Sequence, residues 1–272
     1  MANHLEIANP GSALGEAIGS SMEAALKELL SDIADEHGCY YITSGVRKTK
    51  SGTKMKKLLM ADNFGTEYDI DGVIANESMQ PLIIIESKYI RYKKHNRDKG
   101  SWICTAHPAI RRRYHSIRSS IAVLAGSWSR SSLAMMKSHE INLFVVPFED
   151  IVKILMDYKI VYNWGEKDKD VAYEAWNSYN ELGDEQKLKI GKSMITSIKG
   201  RLIGLINEIL SDETPREIDK VTIELVSNLG EVKYYEFSTS EEAINFLQEE
   251  ELDALFLTSE SDTLFDPPPE LD

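Results

Sequence analysis

The sequence predicts an α/β chain in which a mixed β-sheet is flanked by helices and followed by a helical segment and a small α+β C-terminal unit. Three observations predict it. A stripe of helical period near the start precedes several short strand-like runs, a stretch of purely helical period follows Trp164, and an alternating hairpin pattern comes after Pro215. With 272 residues and a mass of 30.7 kDa the chain can bury one good core and a lesser one. We expect divisions at residues 1–165, 166–211 and 212–272.

Residues 13–36 read as an amphipathic helix, because Leu14, Ile18, Met22, Leu26, Leu29 and Ile33 step by three and four, and Gly38 stops it. Strand candidates follow at 39–43, 57–61, 68–75 and 81–89, read as an antiparallel meander. Residues 108–126 read as a second helix: Ile110, Tyr114, Ile117, Ile121 and Leu124 keep one stripe, with Pro108 in the first turn. A strand at 141–146 and a helix at 148–158 complete the order α-β-β-β-α-β.

Helices are expected at 171–182 and 184–210, the latter carrying Ile190, Met194, Ile198, Leu202, Leu205 and Ile209 on one side. Residues 212–215 read as a linker. Alternation through Val221, Ile223 and Leu225, a turn at 228–230 and alternation back through Val232 and Tyr234 suggest a hairpin; Thr239 with Glu242 resembles a capping box opening a short helix to about residue 250. The proline tail at 267–269 is expected to be disordered.

Composition excludes some classes. No apolar run reaches the roughly 18–20 residues of a membrane span, and the first residues lack a basic start and apolar core, so a cytoplasmic location is expected. Cys39 and Cys104 lie far apart without CxxC spacing, and Cys104 with His107 is too small a set for a metal site, so neither a disulfide framework nor a zinc cluster is suggested.

The net charge of −13 argues at first against a polyanionic partner. Its distribution reverses that reading. Residues 211–272 hold eighteen acidic side chains against Arg216, Lys220 and Lys233, roughly −15, so the remainder is slightly basic. The basic residues fall in two blocks. One is Arg47, Lys48, Lys50, Lys54, Lys56 and Lys57; the other runs from Lys88 through Arg91, Lys93, Lys94, Arg97, Lys99 and Arg111–Arg113 to Arg118. Flanking a carboxylate cluster, they suggest a phosphate-binding surface, with Lys54, Lys56, Lys57, Arg91, Lys93, Lys94, Arg111, His115 and Arg118 as candidate DNA contacts. Tyr92 and Trp102 are candidates to stack on bases, although packing roles suit them better.

In Tyr68-Asp69-Ile70-Asp71-Gly72, strand alternation puts Asp69 and Asp71 on one face; in Ile85-Glu86-Ser87-Lys88 it puts Glu86 beside Lys88. A reversal centred near Ser78–Met79 sets Asp71 across from Glu86. Three isoleucines directly before Glu86 imply a buried strand, where charge needs a reason. Two carboxylates and a lysine at one point suit metal-assisted phosphodiester hydrolysis: hard Mg²⁺ takes one or two carboxylates with water and phosphate oxygens, and a neighbouring lysine orients or deprotonates the water. The Ser87 backbone carbonyl is a further candidate ligand, and Asp69 another.

Here the sequence resembles the PD-(D/E)xK, or restriction-endonuclease-like, nuclease superfamily. Ile70-Asp71 stands where that motif has Pro-Asp, Glu86-Ser87-Lys88 stands as its ExK, and the element order over about residues 13–160 is similar. The resemblance implies Asp71 and Glu86 as metal ligands, Lys88 as the catalytic lysine, and Glu16 as a helix-borne ligand with Glu23 as its rival. It implies a restriction-endonuclease-like core and a Mg²⁺-dependent DNA endonuclease, Mn²⁺ substituting, of the restriction or phage-defence kind. Cutting both strands of a duplex with one site per chain favours a homodimer. Two other classes stay open: a nucleic-acid binder that does not cut, and an interaction module whose acidic C-terminal unit recruits a companion protein.

Overall fold

The computed structural model describes residues 9–45, 58–93, 96–165, 168–257, 263–264 and 266–267. The chain divides into two compact units, residues 1–211 and 212–270. In the first, α1 (Pro10–Glu36) starts three residues before the predicted stripe. Pro10 fills the first helical position, where its missing N–H costs nothing, and Asn9 Oδ1 accepts the Ser12 N–H at 3.1 Å. The helix ends where Gly38 adopts φ of +64° and the Cys39 N–H donates to the Ala34 carbonyl.

Then follow β1 (Tyr40–Ile42), β2 (Leu58–Ala61), β3 (Glu67–Ile70), β4 (Gly72–Ala75), β5 (Pro81–Ile90), α2 (Asn96–Arg113), β6 (Ser119–Gly126), α3 (Arg130–Ser138), β7 (Ile141–Pro147) and α4 (Phe148–Asp157). Five strands form a mixed sheet in the order β1-β4-β5-β6-β7; β1-β4-β5 are antiparallel and β5-β6-β7 parallel. The fold is therefore α/β with a mixed sheet flanked by helices.

Three expectations are corrected. Among the described residues the predicted meander is not formed: β2 and β3 pair with each other as a separate hairpin and β1 pairs with β4. The predicted strand at 68–75 breaks at Asp71, with β3 in one sheet and β4 in the other. The helix expected at 108–126 is in fact the last turns of α2 followed by β6. All eight β6 residues are buried, so the strand lacks the alternation that marks a half-exposed one, and its apolar run joined that of Ile110 into a false helical stripe. Pro108 consequently lies inside α2, where it removes the donor that the Cys104 carbonyl would have used.

One sheet face packs Ile83, Ile85, Ile121, Val123 and Val146 against α1 and the two later helices, α5 (Lys169–Asn180) and α6 (Asp184–Leu210). The opposite face carries Ile84 against Ala106 and Ile110 of α2, and Ile90 and Leu124 against Ile103 and Met136. The helical segment thus shares the core of the sheet. Gly191 of α6 meets α1 so closely that a Cβ there would collide with the Ser21 backbone, and Ser21 Oγ bonds Tyr179 Oη of α5 at 2.5 Å.

In the second unit β8 (Val221–Val226) and β9 (Val232–Phe237) form the expected hairpin, and α7 (Ser240–Glu249) opens with the Thr239–Glu242 capping box. Phe246 of α7 packs on Tyr235 and Phe237. Residues 268–269 of the proline tail lie outside the described residues. Among the described residues no helix is long and apolar enough to cross a membrane.

Candidate active site

The β4–β5 turn is tight: Met79 takes φ of +61° and its N–H donates to the Asn76 carbonyl at 2.9 Å. Pairing of Gly72 with Ile85 then carries the register on to place Asp71 opposite Glu86. Because the backbone bends at Asp71, its side chain takes over the pairing, and Asp71 Oδ2 accepts the Ser87 N–H at 2.9 Å. The same oxygen receives Lys88 Nζ at 2.6 Å, and Lys88 Nζ stands 2.5 Å from Glu86 Oε2. Two carboxylates and one ammonium therefore meet, as the sequence suggested.

The charges do not balance. Glu86 is 0% exposed; the Lys88 ammonium pairs with its Oε2, and among the described residues Oε1 has no hydrogen-bond partner. Taking an ion out of water costs several kcal/mol, and a single ammonium shared between two carboxylates leaves one negative charge uncompensated. Burial, reinforced by the Glu86 charge, pushes the Asp71 carboxyl up to about 6. Burial alone would lower Lys88, yet Glu86 and Asp71 outweigh it and hold the ammonium above its usual value, so Lys88 is charged.

Three neighbours bear on it. His107 of α2, 1% exposed, sets Nε2 3.9 Å from Glu86 Oε1; burial, then Lys88 and Arg111, lower its imidazole to about 3, so it is neutral and both ring nitrogens are without hydrogen-bond partners among the described residues. Tyr41 of β1 lies over Gly72 so tightly that a Cβ there would collide with the phenol; burial and then Asp71, Glu23 and Glu86 raise its pKa, keeping it protonated. Glu23 of α1, though it keeps access to solvent, is raised by partial burial and by Asp71. Tyr41 was not anticipated, since its place depends on a pairing between strands distant in sequence, and His107 was set aside because its neighbour in sequence, Cys104, is not its neighbour in the site.

The remaining predicted residues scatter. Glu16 lines the same cleft as Glu23, Ser87 and Lys88, and Glu23 feels the charges of Asp71 and Lys88. Asp69 pairs with Leu59 in the separate β2–β3 sheet, whereas the acid that raises Asp71 is Glu86. Arg91 is buried rather than on the surface. Lys93 is exposed; Lys54, Lys56, Lys57 and Lys94 lie outside the described residues. Arg111 stands 3.7 Å from Glu140 and borders a shallow depression with His115, while Arg118 Nη1 donates to the carbonyls of Ile209 and Leu210 that end α6. The Trp102 ring packs on Tyr68.

Could the site hold Mg²⁺? Among the described residues no group of three or more His, Cys, Asp or Glu side chains forms a metal cage. Mg²⁺ does not need one, since it binds through one or two carboxylates and keeps several waters. The buried Glu86 carboxylate beside Asp71 fits that donor set.

No family model and no curated protein matches the chain. A crystal structure of a protein of unknown function, AF1548, aligns over 69% of this chain and 98% of its own at 13% identity, with a TM-score of 0.31. A likeness that low carries no argument about fold or activity.

Proposed function

We propose that the chain is a Mg²⁺-dependent DNA endonuclease with a restriction-endonuclease-like core, active at Asp71, Glu86 and Lys88, and that it serves in restriction or defence. The observation that carries this reading is the fully buried Glu86 carboxylate, which shares the single Lys88 ammonium with Asp71. Asp71 and Glu86 would hold the ion. The Ser87 carbonyl would join them, since a strand residue presents its N–H and C=O to the same side and the Ser87 N–H faces Asp71. Bound there, Mg²⁺ or Mn²⁺ supplies an acidified water and offsets charge on the phosphate.

The protein's own groups do the rest. With the two carboxylates neutralised, Lys88 Nζ would be free to bind the attacking water or a phosphate oxygen. Neutral His107 and protonated Tyr41 are uncharged walls that keep the electrostatic balance with the carboxylates and the lysine. The site borders a cleft at the C-terminal half of β5, lined by Ser87 and Lys88 of that strand and by Glu16 and Glu23 of α1. Duplex DNA is the proposed substrate, a homodimer the proposed assembly, and a companion protein the proposed partner of the acidic unit.

The test is plasmid DNA with Mg²⁺ or with EDTA. Cleavage in Mg²⁺ alone supports the reading; a gel shift without cleavage makes the chain a nucleic-acid binder.

A further inference from the structure

Glu86 meets α2 as well as Asp71 and Lys88. Strand alternation puts its side chain on the face of Ile84, which belongs to the cluster formed with Ala106 and Ile110 of α2. His107, between those two helix residues in sequence, is buried there with Nε2 3.9 Å from Glu86 Oε1. Among the described residues Oε1 has no hydrogen-bond partner, and neither has Nε2. A buried polar atom left unpaired is costly, and here an acceptor and a possible donor face each other across a gap only about 1 Å longer than a hydrogen bond.

The groups around this pair are already engaged. Glu86 Oε2 has the Lys88 ammonium at 2.5 Å, and the same ammonium stands 2.6 Å from Asp71 Oδ2. The charges that reach His107 are those of Lys88, Arg111 and Asp71, and Arg111 is directed to Glu140 at 3.7 Å. Both orphaned atoms belong to the protein's own interior, so joining them needs no ligand from outside and no opening of the core. His107 is also an unlikely ion ligand on geometry, because among the described residues it does not complete a three-residue cage with Asp71 and Glu86.

We infer that His107 is a positioning residue for the metal site: its Nε2–H donates to Glu86 Oε1 when a divalent cation binds at Asp71 and Glu86, and so fixes the carboxylate with Oε2 towards the ion. The inference rests on the metal reading above. A hydrogen-bond partner of this kind orients a ligating carboxylate and adds to metal affinity without touching the ion. The imidazole then carries its proton on Nε2 and leaves Nδ1 as the acceptor.

The test measures Mg²⁺ and Ca²⁺ binding by calorimetry for full-length wild type, His107→Leu and His107→Gln, with a long-range ¹H–¹⁵N spectrum of the wild-type imidazole in EDTA and in Mg²⁺. The imidazole is expected to hold its proton on Nε2 in both states, and that proton to move downfield when Mg²⁺ binds. His107→Leu, which removes the donor, is expected to weaken both ions about ten- to a hundredfold. His107→Gln, whose amide N–H reaches the same place, is expected to return to within about threefold of the wild type. An imidazole with no proton on Nε2, or with one that Mg²⁺ binding leaves unmoved, overturns the proposal whether or not His107→Leu folds. So does a loss shared equally by His107→Gln, the mark of packing alone. Wild type that binds metal while a folded His107→Leu binds it equally well removes the positioning role and leaves the metal reading; wild type that binds neither ion removes both.

Discussion

Asp71 and Lys88 meet at 2.6 Å where the chain bends out of the β2–β3 hairpin into the main sheet, so the backbone break and the ion pair occupy one point. With Glu86 added, the cluster carries one uncompensated negative charge in a buried setting. Millimolar Mg²⁺ or Ca²⁺ is therefore expected to raise the melting temperature of the wild type over that in EDTA. Glu86→Gln is expected to melt higher than the wild type in EDTA and to lose the metal response. Differential scanning fluorimetry reads both, and a full metal response in Glu86→Gln would place the ion elsewhere.

The α1 carboxylate offers a choice between two residues one face apart. Since Glu23 lies within electrostatic reach of Asp71 and Lys88, Glu23→Gln is expected to lower the cleavage rate about tenfold or more and Glu16→Gln to leave it within about twofold. Single-turnover rates of the two variants decide; a larger loss at Glu16 would show that the helix contributes its other face.

Two titrations act on stability with opposite sign. The folded pKa of Asp71 is raised from 3.8 to about 6, so the stability linked to it is fully present below about pH 4 and is lost as pH rises through about 6 in metal-free protein. That of His107 is lowered from 6.5 to about 3, so its contribution is present above about pH 6.5 and is lost as pH falls towards 3. Asp71→Asn is expected to remove the first slope and His107→Gln the second, the latter amounting to ~3 kcal/mol by about pH 4. Urea melts across this range, in EDTA, check both. A His107→Gln profile parallel to the wild type would mean that the imidazole takes up its proton as readily in the folded protein.

The contact between α1 and α6 is a backbone contact at Gly191. Gly191→Ala is expected to cost about 1–3 kcal/mol, because neither helix can yield as a side chain would. A denaturant midpoint shift with unchanged slope is the signature, and no shift would separate the helical segment from the core.

The sequence disclosed some of this and not the rest for physical reasons. The α1 stripe, the C-terminal hairpin and the Asp71–Glu86 juxtaposition are written locally, in helical period, strand alternation and turn spacing. Strand β6 is hidden because a doubly buried strand has no exposed face to mark its period. The pairing of β1 with β4 joins residues about thirty apart in sequence, so nothing near Tyr41 announces Asp71. His107 and Arg91 show why charge runs alone mislead: one site residue is neutral, and the most buried arginine of the basic block is boxed by Trp164 and Tyr162, more than seventy positions away.

Cleavage of supercoiled plasmid by purified wild type and by Lys88→Ala, each in Mg²⁺ and in EDTA, tests the central claim most directly. Nicked or linear product is expected from the wild type in Mg²⁺ only, with Mn²⁺ substituting. Lys88→Ala is expected to be slower by about 10²–10⁴-fold while still binding DNA. Wild-type protein that leaves plasmid intact in Mg²⁺ and Mn²⁺, or a Lys88→Ala variant that cuts at the wild-type rate, would contradict an active site at Asp71, Glu86 and Lys88.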